Sequence, residues 1–347
     1  KKPLIIPALL FCLPAAAQPV WQQGLRYHLQ ARLDVQQRAL DGRMELRYSN
    51  HSPDTLHFIW LHVWPNAYRN DRTSYSDQLL ENGKTAFYFS DENKRGYINQ
   101  MEFRVNGALA EIQDHPEYID VIKLLLPTVL LPGGSLQISA TFHVKLPRNF
   151  SGYGVADNSF QISNWYPEPA VYDRSGWHPM PYLEQGGAYH EPADYKVSIE
   201  VPAKYSVAAG CLADSVLPHG NNSYFFSLKN ANAVAWVAAS HLLEKKDTVQ
   251  LESGKIIALH LYYPASDNSY HPGWNAEDPI SRSKPFIRQL SALISDYPYP
   301  SLNLVEVSYA PAENFSGLIM LEKAHLFDPS DRYLLSALAA QWFQASC

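Results

Sequence analysis

Several residues of this chain have the types and spacings that known chemistries use, but their sequence context argues against each. His190-Glu191 is followed by Pro192, which excludes the helix that an H-E-x-x-H zinc motif requires. Ser281 and Lys284 match S-x-x-K, although the partner motifs of that chemistry are absent. The sequence contains no G-x-S-x-G, no P-loop and no G-x-G-x-x-G. These patterns therefore predict no catalytic group.

The cysteines predict neither a thiol nucleophile nor a disulfide framework. Cys211 follows Ala-Ala-Gly in a predicted strand, and no partner histidine can be identified for it. His178 lies in a proline-rich loop, where a structural role is favoured. Only Cys211 and Cys347 remain once a leader is removed, and a pairing between them stays open.

The N-terminal residues and the charge balance restrict the location and the partners. Lys1-Lys2, a short apolar run and the small residues Ala15-Ala16-Ala17 predict a signal peptide over residues 1–17, and hence a secreted or periplasmic protein. No other apolar run approaches the roughly 20 residues of a membrane span. The net charge is -6 and no basic stripe occurs, which argues against nucleic acid as a partner.

Residues 18–244 are predicted to be β-structure, because apolar and polar residues mostly alternate there. Turn signals at Asp41-Gly42, Asn106-Gly107 and Pro132-Gly133-Gly134 separate short strands. Residues 64–96 lack periodicity and are predicted to be a long loop, and the aromatic, proline-rich residues 153–191 are expected to cross the surface. The pattern indicates an antiparallel sandwich or saddle.

A second domain, residues 245–347, is predicted from a change of pattern. Residues 280–296 have helical apolar spacing, with Pro285 expected in the first turn, and residues 302–307 predict a strand. Asp328-Pro329 indicates the N-cap and first residue of a final helix. Leu338 and Trp342 belong to the apolar face of that helix.

Four short segments resemble the aminopeptidase N family of zinc metallopeptidases, in particular its secreted bacterial branch. They occur in that family's order, at residues 61–68 (LHVWPNAY), 164–173 (NWYPEPAVYD), 176–182 (GWHPMPY) and 297–300 (YPYP). The resemblance covers about residues 21–343. It implies a multidomain fold, in which an all-β N-terminal saddle or sandwich domain over residues 18–244 precedes a truncated α+β thermolysin-like catalytic domain over residues 245–347.

The resemblance extends to the final helix, where Gln341-Trp342-Phe343 stands where the family has Q-W-F directly after H-E-x-x-H. Two histidines four residues apart share a helix face and can bind one zinc ion, while the glutamate between them activates a water. Ser336, Ala337 and Ala340 occupy these three positions here. The chain therefore supports neither the zinc cofactor expected for the family nor a catalytic residue. The family's third ligand and its transition-state tyrosine would lie beyond Cys347.

Ala310-Pro311-Ala312-Glu313-Asn314 stands in place of the family's peptide-anchoring motif, G-A-M-E-N. The resemblance implies that an edge strand pairs with a peptide backbone while Glu313, beside Asn314, holds the free α-amine. A glutamine of the first domain often shares this task, and Gln161 is the candidate. The alternative is a surface glutamate on a loop.

Three functions remain open at this point. The chain could be a pseudoenzyme that binds peptides or protein N-termini, or an active zinc aminopeptidase whose ligands lie in a C-terminal part outside this sequence. It could also be a β-rich module that binds glycans or peptides through exposed Trp165, Tyr166, Trp177 and Tyr182, because aromatic planes suit sugar faces.

Overall fold

The computed structural model describes residues 21–156, 159–186, 188–264, 278–308, 314–326, 328 and 330–346. The predicted signal peptide, Glu313 and Cys347 lie outside these ranges. No helix within them is long and apolar enough to cross a membrane.

The strands and helices of the described residues form two groups along the chain. The first group comprises β1 (Gly24–Asp34), β2 (Ala39–Ser49), β3 (Leu56–His62), α1 (Ser74–Glu81), β4 (Tyr97–Val105), β5 (Ala108–Leu109), β6 (Ile112–Asp114), β7 (Val121–Leu130), β8 (Ser135–Lys145), β9 (Gly154–Ala156), β10 (Ser159–Ile162), β11 (Glu168–Pro169), β12 (Tyr172–Asp173), β13 (Gly176–Trp177), β14 (Ala193–Pro202), β15 (Tyr205–Ala209), β16 (Ser215–His219), β17 (Asn221–Ala231) and β18 (Trp236–Ser240). The second comprises β19 (Leu242–Gln250), β20 (Ile256–Pro264), α2 (Pro279–Leu293), β21 (Ser301–Val307), β22 (Asn314–Phe315), β23 (Leu318–Glu322), α3 (Lys323–Leu326) and α4 (Arg332–Ser346). The domain boundary predicted after residue 244 falls within β19 and stays a prediction.

The largest sheet follows directly from the period-two sequence. Its strand order is β16-β17-β14-β1-β2-β8-β4-β5. Along β1 buried and exposed side chains alternate, so one face covers the core and the other meets solvent. β1 is antiparallel to β2 but parallel to β14, with Leu25 opposite Ala193. The first strand of the fold therefore lies in the middle of the sheet.

Two four-stranded sheets complete the first core, in the orders β15-β18-β10-β9 and β11-β3-β7-β6. Residues 153–191 supply three of these eight strands, β9, β10 and β11, as well as the separate β12–β13 pair, and they bury Tyr153, Trp165, Tyr166 and Tyr182. The expectation that this segment crosses the surface is wrong for residues 153–171, where most described residues are buried, whereas most of the described residues 172–190 are half-buried or exposed. The large aromatic rings of this segment bury much apolar area. That burial stabilises the fold although the prolines cannot donate backbone hydrogen bonds to a sheet.

The turn signals had mixed outcomes. Asn106-Gly107 joins β4 to β5 with both φ angles positive, as a tight hairpin turn requires, and the turn at residues 131–134 joins β7 to β8. The hairpin prediction at Asp41-Gly42 is wrong, because both residues lie inside β2. A Cβ on Gly42 would stand 2.0 Å from the ring of Phe142, so this glycine makes room for an aromatic side chain.

The prediction of a long loop over residues 64–96 is also wrong. The segment contains a buried 3-10 helix, Trp64–Tyr68, the helix α1 and a short 3-10 helix, Glu92–Lys94. Thr73 caps α1, because its hydroxyl accepts a hydrogen bond from the Ser76 N–H at 3.2 Å. The helix is short, so its periodicity was not evident in the sequence.

The second group is a mixed sheet with helices packed on it. The strand order is β19-β20-β21-β23-β22, in which β20, β21 and β23 are parallel. α2 and α4 contribute Ile287, Leu334 and Trp342 to one apolar cluster with the sheet. Pro285 lies in the interior of α2 rather than in its first turn, so the helix tolerates the loss of one backbone donor.

The final helix begins later than predicted. α4 starts at Arg332, and its first turn closes by a hydrogen bond from Leu335 N–H to Asp331 O at 2.8 Å. Asp328 instead fixes the preceding turn, accepting from the N–H and the hydroxyl of Ser330 at 3.0 and 2.8 Å. Pro329, the predicted first residue, lies outside the described residues.

The two groups meet at a backbone contact between Gly210 and the β22–β23 turn. Gly317 has φ +74°, and a Cβ on it would lie 2.1 Å from the carbonyl oxygen of Gly210. A Cβ on Gly210 would lie 2.2 Å from the carbonyl oxygen of Ser316. The Ser316 hydroxyl also accepts a hydrogen bond from Asn232 N–H at 3.1 Å. Beside this contact lies an apolar cluster of Ala208, Ala235, Val237, Val305, Val307, Leu318 and Met320.

We expect Gly317→Ala to lower the free energy of unfolding by roughly 3 kcal/mol, because it adds a clash to an unfavourable φ. Gly83 is the matched control, since it has the same φ of +74° and no atom within 4 Å of an added Cβ. Gly83→Ala should cost only about 1 kcal/mol. Denaturant titrations measure both values, and equal losses would show that the contact with Gly210 contributes nothing.

Candidate functional site

The face of α4 that resembles a zinc motif lies partly in solvent. Leu334 and Leu338 point into the second core, and Ala337 is also buried. Ser336 is exposed and Ala340 is half-buried. The helical spacing predicted from the sequence is therefore present, and the two positions that would carry histidines share one accessible face.

The residues on this face do not fit a zinc ion. Zinc in proteins is bound by imidazole nitrogen, thiolate sulfur or carboxylate oxygen, whereas Ser336, Ala337 and Ala340 supply one hydroxyl and two methyl groups. In the part of the chain that the structure describes, no three His, Cys, Asp or Glu side chains are grouped closely enough to hold a metal. No zinc-dependent step can be derived from these residues.

Gln341 joins α4 to the turn between β22 and β23. Its Oε1 accepts a hydrogen bond from Gly317 N–H at 2.8 Å, and its Nε2 donates to Phe315 O at 3.1 Å. Both ends of the amide thus hold backbone groups on opposite sides of Ser316. The Gln341 side chain is fully buried, so these bonds satisfy groups that water does not reach. The helix therefore fixes the hairpin that carries Asn314.

Trp342 attaches the same turn of α4 to the end of α2. Its indole N–H donates to Ser295 O at 2.6 Å, and its ring meets that of Tyr297 edge-on at 5.2 Å between centroids. Burial raises the pKa of the Tyr297 phenol well above its ordinary value, so this phenol stays neutral. Of the three residues that resemble Q-W-F, Gln341 and Trp342 thus hold neighbouring elements in place, whereas Phe343 is 62% exposed.

The anchoring residues predicted from the sequence are described only in part. Glu313 lies outside the described residues, directly before β22 in the chain. Asn314 is half-buried in β22, opposite Ile319 of β23. Within the described sheet β22 is the outermost strand, next to β23. The residue predicted to hold an α-amine therefore precedes an edge strand.

Gln161 lies on the face of β10 that looks towards the second sheet. It stands opposite Val237 of β18, whose side chain packs with Val305 and Met320. Gln161 is fully buried, and its Oε1 accepts a hydrogen bond from the side chain of Asn149. Among the described residues its Nε2 has no hydrogen-bond partner. Its part in binding stays a prediction.

A cavity of about 240 Å³ opens where β21 and β23 end. Ser159, two residues before Gln161 and on the same face of β10, forms part of its wall. The carboxyl groups of Glu306 and Glu322 come from the two parallel strands, and Ser308 directly precedes residues 309–313. Ser308, the last described residue before Glu313, therefore belongs to the wall of the cavity.

The other side chains that the sequence suggested as candidates are paired with neighbours or buried. His190 Nδ1 lies 2.9 Å from Glu168 Oε2. His178 Nε2 lies 2.9 Å from Asp173 Oδ1. Lys284 is paired with Asp247. Burial, with the nearby Asp214 carboxylate, raises the pKa of the Cys211 thiol to about 12, so this thiol is a poor nucleophile at neutral pH.

The glycan site predicted from Trp165, Tyr166, Trp177 and Tyr182 is wrong for three of its four residues. Trp165 and Tyr166 are almost fully buried and Tyr182 is 8% exposed. Trp165 donates its indole N–H to Val234 O at 3.1 Å inside the core. Trp177 alone of the four is half-exposed.

Replacing Gln341 tests whether it holds the hairpin. Gln341→Met keeps the length and apolar packing but leaves Gly317 N–H and Phe315 O buried without their partners, which should cost about 2–4 kcal/mol of unfolding free energy. Gln341→Glu keeps an acceptor for Gly317 but buries a carboxylate beside Phe315 O, so it should cost at least as much. Chemical denaturation measures both variants. A Gln341→Met protein as stable as the original would show that the two bonds contribute little.

No family model and no curated protein matches this sequence. Solved structures match its fold. One is a two-domain M1 zinc metallopeptidase mutant bound to L-tryptophan, with a TM-score of 0.61 and 16% sequence identity over 93% of this chain. Another is an M1 zinc metallopeptidase mutant from Deinococcus radiodurans bound to a Tyr-Ser-Ala substrate, with the same TM-score, identity and coverage.

The match covers 65% of each of those chains, so this chain spans slightly less than two thirds of their length. At 16% identity the likeness concerns the fold and not the chemistry. The described chain thus shares, in its mostly β architecture of several sheets, the fold of part of the M1 zinc metallopeptidases.

Proposed function

We propose that this chain is a secreted or periplasmic, aminopeptidase N-like protein that binds peptide or protein N-termini without cleaving them. One observation carries the proposal. The Gln341 amide ties α4 to the hairpin of Asn314, while Ser336, Ala337 and Ala340 on the same helix offer no zinc ligand. The contacts that would position a peptide thus involve other residues than the three at the zinc-motif positions.

The binding mode follows from the edge strand. The outer side of β22 can pair with the backbone of an extended peptide, since β23 occupies only its other side among the described strands. Glu313 precedes this strand, and its carboxylate would form a charge-assisted hydrogen bond with the free α-amine. An acetylated N-terminus has no positive charge and would lose this interaction. Gln161 would contribute its amide from the first group of strands.

Cleavage requires a water activated by a metal or by a base. The helix offers neither at the three positions of the motif, and a serine hydroxyl beside two methyl groups cannot replace a glutamate base. The rival function is an active zinc aminopeptidase with ligands outside this sequence. It differs from our proposal in requiring a tightly bound metal.

We expect the protein of this sequence, purified and dialysed without chelator, to contain far less than one equivalent of zinc, as measured by plasma emission spectrometry. The double variant Ser336→His/Ala340→His is the positive control. Its two imidazoles would share one helix face, so in a titration it should bind added zinc more tightly than the unaltered protein does. Stoichiometric zinc in the unaltered protein would contradict a non-catalytic role.

The α-amine prediction can be tested with Tyr-Ser-Ala, a peptide that one structural neighbour binds. Its affinity should exceed that of N-acetyl-Tyr-Ser-Ala by roughly 10- to 100-fold, the range for a hydrogen bond between charged groups. Glu313→Gln should abolish this preference, because the amide carries no charge. Isothermal titration calorimetry measures the affinities.

Glu252→Gln is the matched control, because Glu252 is an exposed glutamate in the turn between β19 and β20. It should retain the preference for the free amine. Equal binding of the free and acetylated peptides by the unaltered protein would refute the assignment of Glu313.

A further inference from the structure

The solvent face of β1 and β2 carries four exposed arginines, and two of them have no carboxylate partner. Arg32 lies 3.6 Å from Glu200, and Arg43 is likewise paired within β2. Arg26 and Arg47 make no ion pair with any residue that the structure describes. They stand directly opposite each other in the β1–β2 ladder. Like charges so placed destabilise a sheet, and an anion bound between them would remove this cost.

Both unpaired arginines belong to the wall of a cavity of about 330 Å³. Gly24 lies in the same wall, and a Cβ on it would stand 2.9 Å from Cε1 and 3.2 Å from Nε2 of His51. The glycine therefore makes room for the imidazole, which also borders the cavity. Ser49, opposite Gly24 in the ladder, adds a hydroxyl on the same face. Two guanidinium groups, an imidazole and a hydroxyl thus surround one opening.

The imidazole is held by its other nitrogen, which leaves one edge available to a ligand. His51 Nδ1–H donates to Gln22 O at 2.8 Å, and His51 N–H donates to Gln23 Oε1 at 2.8 Å. Because Nδ1 is a donor, Nε2 becomes a second donor when the ring is protonated. Gln23 also lines the cavity and is 4% exposed, and its Nε2 has no hydrogen-bond partner among the described residues. The cavity wall therefore includes a buried amide whose donor is not used within the described chain.

One carboxylate lies in the wall of this cavity as well. Asp194 stands opposite Arg26 in β14, beyond ion-pair distance of both unpaired arginines, and its Oδ1 accepts from Asn230 N–H at 3.2 Å. Its single negative charge does not cancel the two guanidinium charges. An anion would therefore bind on the side of Arg26 and Arg47, while Asp194 can accept a hydrogen bond from a hydroxyl group elsewhere on the ligand.

The two guanidinium groups determine what kind of anion suits the cavity. Each presents a planar fork of N–H donors that matches a pair of oxygens. A carboxylate has two oxygens and can fill one fork. A phosphomonoester has three free oxygens and nearly two negative charges at neutral pH, so it can accept from both forks. The cavity is larger than a phosphate group, which leaves room for the organic part of such a ligand.

We propose that this cavity binds the phosphate group of a phosphomonoester, carried either by a small soluble molecule or by a lipid headgroup. Arg26 and Arg47 each hold phosphate oxygens, and the protonated His51 ring donates from the third side. The site belongs to the first group of strands. It does not depend on Glu313 or on the proposed binding of peptides.

Isothermal titration calorimetry at constant ionic strength tests the proposal, with glycerol 3-phosphate, inorganic phosphate and acetate as probes. Glycerol 3-phosphate should bind, and acetate should bind roughly tenfold more weakly or less, because a carboxylate fills only one fork. Arg26→Gln and Arg47→Gln should each weaken binding of glycerol 3-phosphate roughly 10- to 100-fold, the range for a hydrogen bond between charged groups. Both side chains are exposed, so neither substitution should prevent folding.

Arg32→Gln is the matched control, because it removes the same charge from the same face of β1 at a residue that does not line the cavity. It should bind glycerol 3-phosphate as the unaltered protein does. A general attraction of anions to a positive surface would instead make Arg32→Gln and Arg26→Gln alike.

Sedimentation with vesicles distinguishes a lipid from a soluble ligand. Vesicles of phosphatidylcholine mixed with phosphatidic acid, whose headgroup is a phosphomonoester, carry down the unaltered protein but not Arg26→Gln if the ligand is a lipid. Binding of glycerol 3-phosphate without sedimentation assigns the site to a soluble ligand. The proposal is overturned if no phosphomonoester probe binds, if acetate binds as tightly as glycerol 3-phosphate, or if Arg32→Gln weakens binding as much as Arg26→Gln.

Discussion

The close approach of two backbones, at Gly210 and Gly317, is the constraint on which the candidate site depends. No side chain fits between these segments, so the turn after β22 must lie directly against the first group of strands. Backbone groups brought so close cannot be hydrated and need partners within the protein. Gln341 supplies two of them from α4, and Ser316 supplies an acceptor for Asn232. The hairpin is thereby held from both sides.

The residues of α4 that hold the fold together are different from those at the two histidine positions of the zinc motif. In α4, Gln341 and Trp342 hold the β22–β23 hairpin and the end of α2, whereas Ser336 is exposed and Ala340 half-buried on a different face. Ser336 and Ala340 are not in the apolar cluster of Leu334 and Leu338. The side chains at these two positions can therefore change while the packing of the helix persists.

Alternation of apolar and polar residues was sufficient to predict β-structure in long strands such as β1, and the Asn-Gly pair was sufficient to predict the turn at Asn106-Gly107, because both signals are local. The short strands between residues 153 and 191 were missed. The turn prediction at Gly42 was wrong because this glycine leaves space for the ring of Phe142, its partner in the neighbouring strand. Phe142 is far away in the sequence, so no local pattern shows this. The role of Gln341 was missed for a similar reason, since its partners belong to a hairpin. A polar residue on the apolar face of Leu334, Leu338 and Trp342 was the available signal. Glu313 was suggested by resemblance alone, which periodicity could not have supplied.

The parallel pairing of β1 with β14 has a consequence for how the chain folds. β1, β2, β8 and β4 can assemble early, since β1 and β2 are neighbours joined by a short turn. The other edge of β1 stays unpaired until residues 193–202 are available, because a parallel partner cannot come from a hairpin. During synthesis the sheet therefore presents an open edge for much of the first group, and pairing of such distant segments is slow. An exposed strand edge of this kind invites association with other chains, so we expect the nascent protein to need protection until β14 closes the sheet.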